Sequence, residues 1–380
     1  MALTVLHTSD WHIGKPFGHL EPGVAGVLRQ ARLTAVDRLA AAARSSKALH
    51  VLVAGDIYDR PSLADRDLRA PLSQMQAHVD LTWHLLPGNH DPASRGGVWE
   101  RVQRLGLPAN VVVHLEARPV EIAAGVVLLP SPLAAKATSV DPTAWMDGAA
   151  TPEGALRIGL AHGSIQGFGS ELSASVAIAP DRPRRAGLSY LALGDWHGVR
   201  EIGPRAAYSG TPEPDGFLDN APGHALLVSL EGPDAAPRIA RKEIGEHRWL
   251  KRKIAASRLS DMAALEGEVE GHGASARRIL LAVEIAGRVT MTEERDLRLR
   301  LDALESRVLH LDRDLTRLLP APAAGDIERL PEGALREVGL ELARIAAEPE
   351  NGQQAVAARA LRHLFELTDG IGTHDSGAAT

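Results

Sequence analysis

The sequence predicts an α/β fold organised around a central sheet. Short apolar runs that are closed by glycine, proline or a polar residue are typical of buried strands. Five such runs occupy residues 3–6, 51–54, 81–86, 158–161 and 190–193. Segments with helical periodicity separate the first three runs, and an alternation of strands with helices favours a sheet that is covered by helices.

The other elements of this region follow in chain order. Two segments carry apolar residues at helical spacing and predict the helices that join the first three strands, residues 27–44 and 65–79. Two further strand-like runs, residues 111–115 and 126–129, would extend the sheet into a second layer. Residues 134–152 are rich in Ala, Thr, Asp and Pro, which predicts a surface excursion.

The composition changes after Gly232, where two prolines indicate a linker between domains. The first domain would therefore span residues 1–232, and a second domain would span residues 238–319. A helical tail is predicted at residues 325–370. The last segment, residues 371–380, is small and polar and is predicted to be disordered.

Within the second domain, a weakly alternating run predicts a strand at residues 279–285. Leucines recur at helical spacing after it and predict one long amphipathic helix over residues 293–319. Prolines then interrupt the pattern, and two shorter amphipathic helices are predicted at residues 335–347 and 355–367.

Composition excludes several classes of function. The chain contains no cysteine, so thiol catalysis, zinc–thiolate sites and disulfides are excluded. Its net charge of −6 argues against a protein that binds nucleic acid by bulk charge alone. No apolar stretch approaches the roughly 18–20 residues of a membrane span, and no secretion signal is evident. We therefore expect a cytoplasmic protein that does not associate with a membrane.

Each of the five apolar runs ends in residues that bind hard metal ions. These residues are Asp10 and His12, Asp56, Asn89 and His90, His162, and Asp195 and His197. Sites in open α/β sheets form where the carboxyl ends of strands converge. Any one of these residues alone is more simply explained as a turn carboxylate or a loop histidine. All five endings in order predict a single two-metal hydrolase site.

The spacing within the motifs supports this prediction. Asp10 and His12 are two residues apart, as are Asp195 and His197, so each pair can face the same side of an extended segment. The amide oxygen of Asn89 is a weak neutral ligand, and the adjacent histidine would leave an imidazole near the substrate.

These motifs resemble the calcineurin-like metallophosphoesterase family. Asp-x-His, Gly-Asp-x-x-Asp, Gly-Asn-His-Asp, His-Gly and Gly-x-x-His occur in that order, and residues 7–14 resemble the opening of SbcD-type DNA repair nucleases. Residues 208–212 are similar to the strand and turn that close this domain. The resemblance covers residues 1 to about 230. It implies an α/β, four-layer β-sandwich flanked by helices, with a small α/β capping domain and a helical C-terminal tail.

The resemblance also implies two metal ions bridged by Asp56. The first would be held by Asp10, His12, Asp56 and His197, and the second by Asp56, Asn89, His162 and Asp195. His90 would be catalytic over the scissile phosphate, with Asp91 orienting it. The nuclease group usually has His where Asp195 stands, and a carboxylate at that position shifts the preference towards manganese or magnesium. The resemblance suggests manganese, with magnesium as the alternative. Two interpretations of Asp59 stay open: it caps a turn or supports the metal ligands from behind, or it is a catalytic group.

A basic block lies between residues 238 and 258, where eight Lys or Arg face two Glu. We predict that part of this block contacts DNA phosphates without reading sequence, and a solvated surface is the alternative. The predicted contacts are Arg248, Lys251, Arg252 and Lys253. Trp11 and Trp196, which lie inside the metal motifs, are predicted to pack beneath the metal ligands.

Together these observations predict a metal-dependent DNA nuclease, acting as exonuclease or endonuclease in repair or recombination. The resemblance implies a homodimer and an SbcC-like ABC-type ATPase partner, which the tail helices could bind. This chain has no phosphate-binding Gly-x-x-x-x-Gly-Lys-Ser/Thr loop of its own. Two alternatives remain: hydrolysis of a small phosphodiester or a phosphoprotein, and a scaffold that binds DNA or an ATPase with little catalysis.

Overall fold

The computed structural model describes residues 3–167, 175–256, 259–320, 327–328, 330–348 and 352–369. The chain forms two compact units, Met1–His247 and Arg248–Thr380. The prediction of disorder for residues 371–380 lies outside the described residues. Within the described part of the chain, no helix combines the length and the apolar character that a membrane crossing requires.

The first unit contains two six-stranded sheets. The first sheet has the strand order β14-β13-β1-β2-β3-β4. Its strands are β1 Leu3–Thr8, β2 His50–Val53, β3 Thr82–Leu85, β4 Val111–Val113, β13 His224–Leu230 and β14 Arg238–Glu243. The strands β1 to β4 run parallel, whereas β13 and β14 add to the β1 edge in antiparallel pairs.

The second sheet has the order β11-β12-β10-β7-β6-β5. Its strands are β5 Val120–Ala123, β6 Val126–Ser131, β7 Leu156–His162, β10 Tyr190–Gly194, β11 Arg200–Glu201 and β12 Ala206–Tyr208. The four inner strands are parallel and the two edge strands are antiparallel to their neighbours. A small parallel pair, β8 Ser164–Ile165 and β9 Ala177–Ile178, follows the end of β7.

Helices cover the outer faces of both sheets. The first sheet packs against α1 Pro22–Ser45, α2 Asp65–Gln76 and α3 Val98–Leu105. The second packs against α4 Arg182–Arg185 and the 3₁₀ turn Ala144–Gly148, and another 3₁₀ turn, Gly203–Arg205, precedes β12. A separate apolar layer fills the space between the sheets. The result is a four-layer helix–sheet–sheet–helix sandwich, which confirms the fold predicted from the resemblance.

Strand alternation explains why the sandwich forms. In β1, Val5 faces the layer between the sheets, and the next residue, Leu6, faces the helices. Because both faces are buried, such strands appear in the sequence as continuous apolar runs rather than as alternating ones. The helix α1 begins with Pro22 in its first turn, a position that tolerates the missing N–H. The helices predicted at residues 27–44 and 65–79 are confirmed, as α1 and α2.

The predicted surface excursion at residues 134–152 is partly wrong. Met146 is fully buried in the core beneath the second sheet. The buried Arg182 side chain anchors the segment, since it donates hydrogen bonds to Thr143 Oγ1 at 2.8 Å and to Asp141 Oδ2 at 2.7 Å. A polar, alanine-rich composition did not reveal this anchor because the guanidinium comes from a distant part of the chain.

The second unit is a small α/β layer followed by two helices. Three parallel strands, β15 Arg248–Ala255, β16 Ile279–Val289 and β17 His310–Pro320, are joined by α5 Leu259–Gly271 and α6 Met291–Glu305. The 3₁₀ turn Gly273–Arg278 leads into β16. The helices bury Leu297 and Leu301 against Leu281 and Val283 of the sheet. The two tail helices are present as predicted, Ala334–Ala347 and Gln354–Asp369, and they pack against each other.

The prediction of one long helix over residues 293–319 is wrong. The helix α6 ends at Glu305, and the chain re-enters the sheet as β17, which pairs in parallel with β16. Thr290 starts α6 with a capping box to Glu293. The leucines of residues 311–318 fit a helical spacing, but Leu311, Arg313 and Leu315 also alternate with more exposed residues, as a strand requires.

The division between the units falls after His247, whereas the sequence placed the first domain boundary at residue 232. Residues 238–243, assigned to the second domain, form the edge strand β14 of the first unit. Their register with β13 runs from His224 opposite Glu243 to Ser229 opposite Arg238. The prolines at 233 and 237 therefore mark a hairpin connection rather than a boundary between the two units.

Candidate metal centre

The predicted ligands converge at one edge of the sandwich. Three groups of side chains each bring one ligand atom per residue within 4.8 Å of the others. The groups are Asp10, His12 and His197; His12, Asp56 and His90; and Asp10, Asp56 and His162. Asp10, His12 and Asp56 belong to two groups each, so the groups form one continuous cluster. Parallel strands from both sheets supply it, with their carboxyl ends at the same edge.

His12 is the centre of the part of the cluster predicted to hold the first cation. Its Nε2 lies 3.2 Å from Nε2 of His197 and 3.7 Å from Oδ2 of Asp56. Asp10 belongs to the same group. Its carboxylate accepts hydrogen bonds from Ser9 Oγ at 2.6 Å and from the backbone N–H of Asp195 at 3.2 Å. Two imidazole nitrogens that face each other beside carboxylates form a donor set suited to a divalent cation.

His162 is the centre of the part predicted to hold the second cation. Its Nε2 lies 3.5 Å from Oδ2 of Asp56 and 3.8 Å from Oδ1 of Asp195. Asn89 Nδ2 donates to the same Asp195 oxygen at 3.2 Å, and Ser164 Oγ donates to its other oxygen at 2.6 Å. The structure therefore brings Asp195 to the predicted place, beside Asn89 and His162, and whether it binds a cation stays a prediction.

The residues present fit divalent cations. Buried polar atoms normally have hydrogen-bond partners. Three atoms of this cluster are buried without one among the residues that the structure describes: His162 Nε2, Asn89 Oδ1 and His12 Nδ1. The nearest carboxylate oxygen to His12 Nδ1, on Asp59, is 3.5 Å away, which is too long for a well-formed hydrogen bond. A cation at the second position would satisfy the lone pairs of His162 Nε2 and Asn89 Oδ1, which the protein leaves unused.

Backbone strain is concentrated at the same residues. Asp10, His12 and Asp56 adopt the left-handed region, with φ of 55°, 45° and 55°, and Asp195 has φ of 104°. Non-glycine residues avoid such angles, which cost of order 1–3 kcal/mol each and persist where the surroundings enforce them. Each of these residues lies shortly after the end of a strand, so the strained turn aims its side chain into the cluster.

Charges within the cluster shift the pKa values of its members. Burial by itself would raise the pKa of Asp56, but the neighbouring His162 and His12 hold it well below its ordinary value. Burial opposes protonation of His162, yet Asp56, Asp10 and Asp195 raise its pKa well above its ordinary value. A cation that binds at this position therefore competes with a proton for His162 Nε2.

His90 is exposed at the rim of the cluster, and its orienting partner differs from the predicted one. His90 Nδ1 lies 2.8 Å from the backbone oxygen of Asp59, and its ring packs edge-on against His12 with centroids 4.7 Å apart. Asp91 makes no described contact with that ring. Its buried carboxylate accepts hydrogen bonds from the N–H groups of Gly88 at 2.7 Å and Tyr58 at 3.0 Å.

Asp91 therefore shapes the loop that carries Asn89 and His90, rather than holding the His90 ring. The role of the Asp59 side chain stays open, but the backbone oxygen of Asp59 is the group that orients His90. Burial, together with the nearby charge of Asp56, raises the pKa of Asp91 well above its ordinary value.

Sequence reasoning missed Asp215. Its carboxylate oxygens lie 3.1 and 3.2 Å from His197 Nδ1, and it also pairs with Lys15. The residue lies in a proline-rich turn just beyond the motif at residues 208–212, and that nearness to a recognised motif was the only available signal. The two motif tryptophans also differ: Trp11 is buried as predicted, whereas Trp196 is 38% exposed, so its predicted packing is wrong.

The predicted DNA contacts lie on β15, at one edge of the three-stranded sheet of the second unit. Acidic partners of the same unit engage Arg252 and Lys253. Arg252 donates to both carboxylate oxygens of Glu268, and Lys253 lies 3.4 Å from Glu284. Lys251 and Arg248 are exposed. The surplus of positive charge that the sequence suggested is therefore smaller on this strand than the residue count implies.

Comparison with known proteins agrees with this description of the first unit. Residues 3–174 match the family model described as calcineurin-like phosphoesterase. This part of the chain is therefore a calcineurin-like phosphoesterase domain, and the family implies a metal-dependent hydrolase. Among solved structures, the chain is similar to the protein TT1561 of Thermus thermophilus, with 12% identity and a TM-score of 0.41 over 64% of this chain and 100% of that one. No curated protein matches the chain.

Proposed function

We propose that this protein is a metal-dependent DNA nuclease of the SbcD type, active in repair or recombination. The observation that carries the hydrolase part is the cluster of carboxylates and imidazoles, in which two buried ligand atoms, His162 Nε2 and Asn89 Oδ1, lack hydrogen-bond partners among the described residues. DNA as the substrate is supported by the resemblance of residues 7–14 and by the exposed Arg248 and Lys251.

The proposed ligands divide between two cations. Asp10, His12 and His197 would hold the first cation, and Asn89, His162 and Asp195 the second, with Asp56 shared between them. Two divalent cations, manganese or magnesium, would polarise the phosphoryl group and supply an activated water nucleophile. The carboxylate at Asp195 makes the second position richer in hard oxygen ligands than an imidazole would, which is the basis for proposing manganese or magnesium.

His90 would act on the leaving group. Its Nδ1–H can donate to the backbone oxygen of Asp59, which leaves Nε2 to face the substrate. A proton held at Nε2 could pass to the departing alkoxide, a contribution of about 10²–10⁴-fold for a general acid. His90→Gln should therefore keep two cations bound and lose about 10²-fold or more in turnover, measured by manganese titration and by steady-state rates. Loss of cation binding and turnover together would make His90 a ligand or a structural residue.

A second candidate substrate is a small phosphodiester. The observation in its favour is the pairing of Arg252 and Lys253 with acidic side chains, which weakens the proposed DNA surface. Linear duplex DNA, hairpin DNA and bis-(p-nitrophenyl) phosphate, each assayed in manganese, separate the candidates. We expect cleavage of DNA and of the small ester, both abolished in Asp56→Asn. Activity on the small ester with none on either DNA would contradict the nuclease proposal, and no activity on any substrate would favour a scaffold.

The partners are also proposals. We propose a homodimer and an SbcC-like ABC-type ATPase that binds the two tail helices. Large apolar residues on these helices are exposed, among them Val338, Leu340 and Val356, which supports a docking role. A Leu340→Glu variant should lose co-purification with the ATPase and retain hydrolysis of bis-(p-nitrophenyl) phosphate. Light scattering of the purified chain would give its oligomeric state.

A further inference from the structure

We propose that Asp215 is a positioning residue that holds His197 in the tautomer and orientation needed to bind the first cation. This inference rests on the proposed metal-dependent function. Both Asp215 oxygens lie within 3.2 Å of His197 Nδ1, on the side of the ring away from the cluster. The other ring nitrogen, Nε2, faces His12 Nε2 at 3.2 Å.

The chemistry of the two partners determines the tautomer. An ionised carboxylate can only accept hydrogen bonds, so His197 Nδ1 must carry the hydrogen in this contact. In the neutral ring, Nε2 then presents its lone pair towards Asp10 and His12. Metal-binding histidines commonly have their second nitrogen held by a carboxylate or a carbonyl, which also restricts rotation of the ring.

The surroundings hold the Asp215 carboxylate in place and keep it charged. Its side chain is 6% exposed, and it pairs with Lys15 and lies 3.6 Å from Arg32 Nη2. Two cationic side chains beside a buried carboxylate favour its ionised form, which can only accept the hydrogen that His197 Nδ1 donates.

Arg32 links the loop of Asp215 to the loop that carries Asp10 and His12. Its guanidinium, 1% exposed, donates to the backbone oxygen of Trp11 at 2.7 Å and to that of Glu213 at 3.1 Å. Trp11 lies between the ligands Asp10 and His12, and Glu213 lies two residues before Asp215. A single buried side chain from α1 therefore sets the distance between the loop that carries two ligands and the loop that supports a third.

His162, another predicted ligand, follows the same rule. His162 Nδ1 lies 2.8 Å from the backbone oxygen of Ala54, which leaves Nε2 free to face Asp56. His162 uses a backbone carbonyl for this purpose, whereas His197 depends on one side chain. The support of His197 can therefore be removed by substitution without changing a backbone contact, which makes the role of Asp215 directly testable.

The test compares Asp215→Ala and Asp215→Asn in the full chain. Manganese binding is measured by calorimetry and by electron paramagnetic resonance, and ¹⁵N NMR of the imidazoles reports the His197 tautomer. Asp181→Ala is the matched control, since it removes an acidic partner of an exposed arginine, Arg184, in the same unit. We expect Asp215→Ala to weaken one of two manganese sites by about 10–100-fold. Asp215→Asn, which keeps an acceptor oxygen, should weaken it less, and the control should bind as wild type.

Unchanged affinity at both sites in Asp215→Ala would overturn the proposal. Equal weakening of both sites in the two Asp215 variants, with a matching loss of thermal stability, would also overturn it, because that result indicates a structural role. Wild-type protein that binds two manganese ions but hydrolyses no phosphodiester would overturn the proposed function and leave the role of Asp215 supported or refuted by the binding data. Wild-type protein that binds no manganese would overturn both.

Discussion

Gly55 and Gly88 make room for the metal cluster by having no side chain. A Cβ on Gly55 would lie 2.2 Å from His162 Nδ1, and a Cβ on Gly88 would lie 2.1 Å from Asp56 Oδ1. Gly55 also has φ of +90°, a conformation that L side chains rarely adopt. The glycines thus let the backbone segments beside the strained ligands approach each other closely. This close approach allows the short side chains of the cluster to meet.

Gly55→Ala should therefore damage the second cation position. The left-handed strain costs about 1–2 kcal/mol, and the overlap with His162 adds about 1–3 kcal/mol. Because the imidazole has to move, manganese binding that depends on His162 should be lost as well. Urea unfolding and manganese titration measure the two effects.

Gly106→Ala is the matched control for this prediction. Gly106 also has φ of +90°, and no described heavy atom lies within 4 Å of the Cβ that alanine would add. It should show the strain alone, about 1–2 kcal/mol, with normal manganese binding. If the two variants behaved alike, close packing against His162 would not be what requires glycine at position 55.

The residues of the cluster differ in how far the sequence could predict them. Asp10, Asp56 and His162 each lie at or just after the end of an apolar run, so a local pattern is enough to place them at a sheet edge. Asp215 has no such pattern, because its role depends on a contact with His197 across two loops. Likewise, the partner of His90 is the backbone oxygen of Asp59. Every residue has a backbone oxygen, so the sequence could not single out this one.

At the scale of elements, β17 shows why one strand was predicted as a helix. Leucines at residues 297, 301, 304, 311 and 315 fit one helical stripe, and this stripe continues past the real end of α6. The same apolar core contacts both elements, since Leu304 and Leu311 lie in one cluster. Both elements bury one face against a shared core, so hydrophobicity alone could not distinguish a period of 3.6 from a period of 2.

A row of three histidines crosses neighbouring strands of the first sheet. His84 of β3 is hydrogen-bonded on both sides, to His50 of β2 and to His114 beyond β4, each at 3.1 Å. Burial lowers the pKa of His114 to about 4, and burial together with its two neighbours lowers the pKa of His84 well below its ordinary value of 6.5. These rings are therefore neutral in the folded protein at neutral pH.

Acid should destabilise the first unit through this row. A histidine whose pKa is lowered by folding binds more protons when unfolded, so its stability contribution is present above pH 6.5 and is lost as pH falls towards the folded value. Between about pH 7.5 and 5.5 the loss is about 1 kcal/mol for each buried histidine. His84→Leu should reduce the fall in unfolding free energy between these pH values by about 1 kcal/mol, measured with urea.

The comparison depends on the difference between the two pH values, because His84→Leu also removes two hydrogen bonds at both. His19→Leu serves as the control, since His19 is exposed and its substitution should leave the difference unchanged. Carboxylates with lowered pKa values, such as Asp215, lose their contribution below this window and do not interfere. An unchanged difference in His84→Leu would show that the row does not cause the acid sensitivity.

At the scale of the whole molecule, composition located a change in the chain but not the division between the units. The prolines at 233 and 237 indicated a break, and β14 follows them, yet β14 completes the first sheet. Strand pairing between β13 and β14 depends on hydrogen bonds between backbones, to which side-chain composition contributes little. The strands and helices of the first unit were predictable because buried parallel strands and their helices leave strong local patterns, and the edges of sheets do not. The four-layer sandwich was predicted from the family resemblance.

Manganese should stabilise the molecule against unfolding, because the cluster that would bind it forms only when both sheets of the first unit are assembled. Its ligands come from segments as distant as Asp10 and His197, so the unfolded chain has no comparable site. A ligand at about 100 times its dissociation constant stabilises the folded state by about 2.7 kcal/mol, which corresponds to a rise in Tm of about 5–10 °C for a unit of this size. Calorimetry with and without manganese measures the rise, and Asp56→Asn should abolish it while Lys251→Ala retains it. An equal rise in Asp56→Asn would place the stabilising ion elsewhere on the protein.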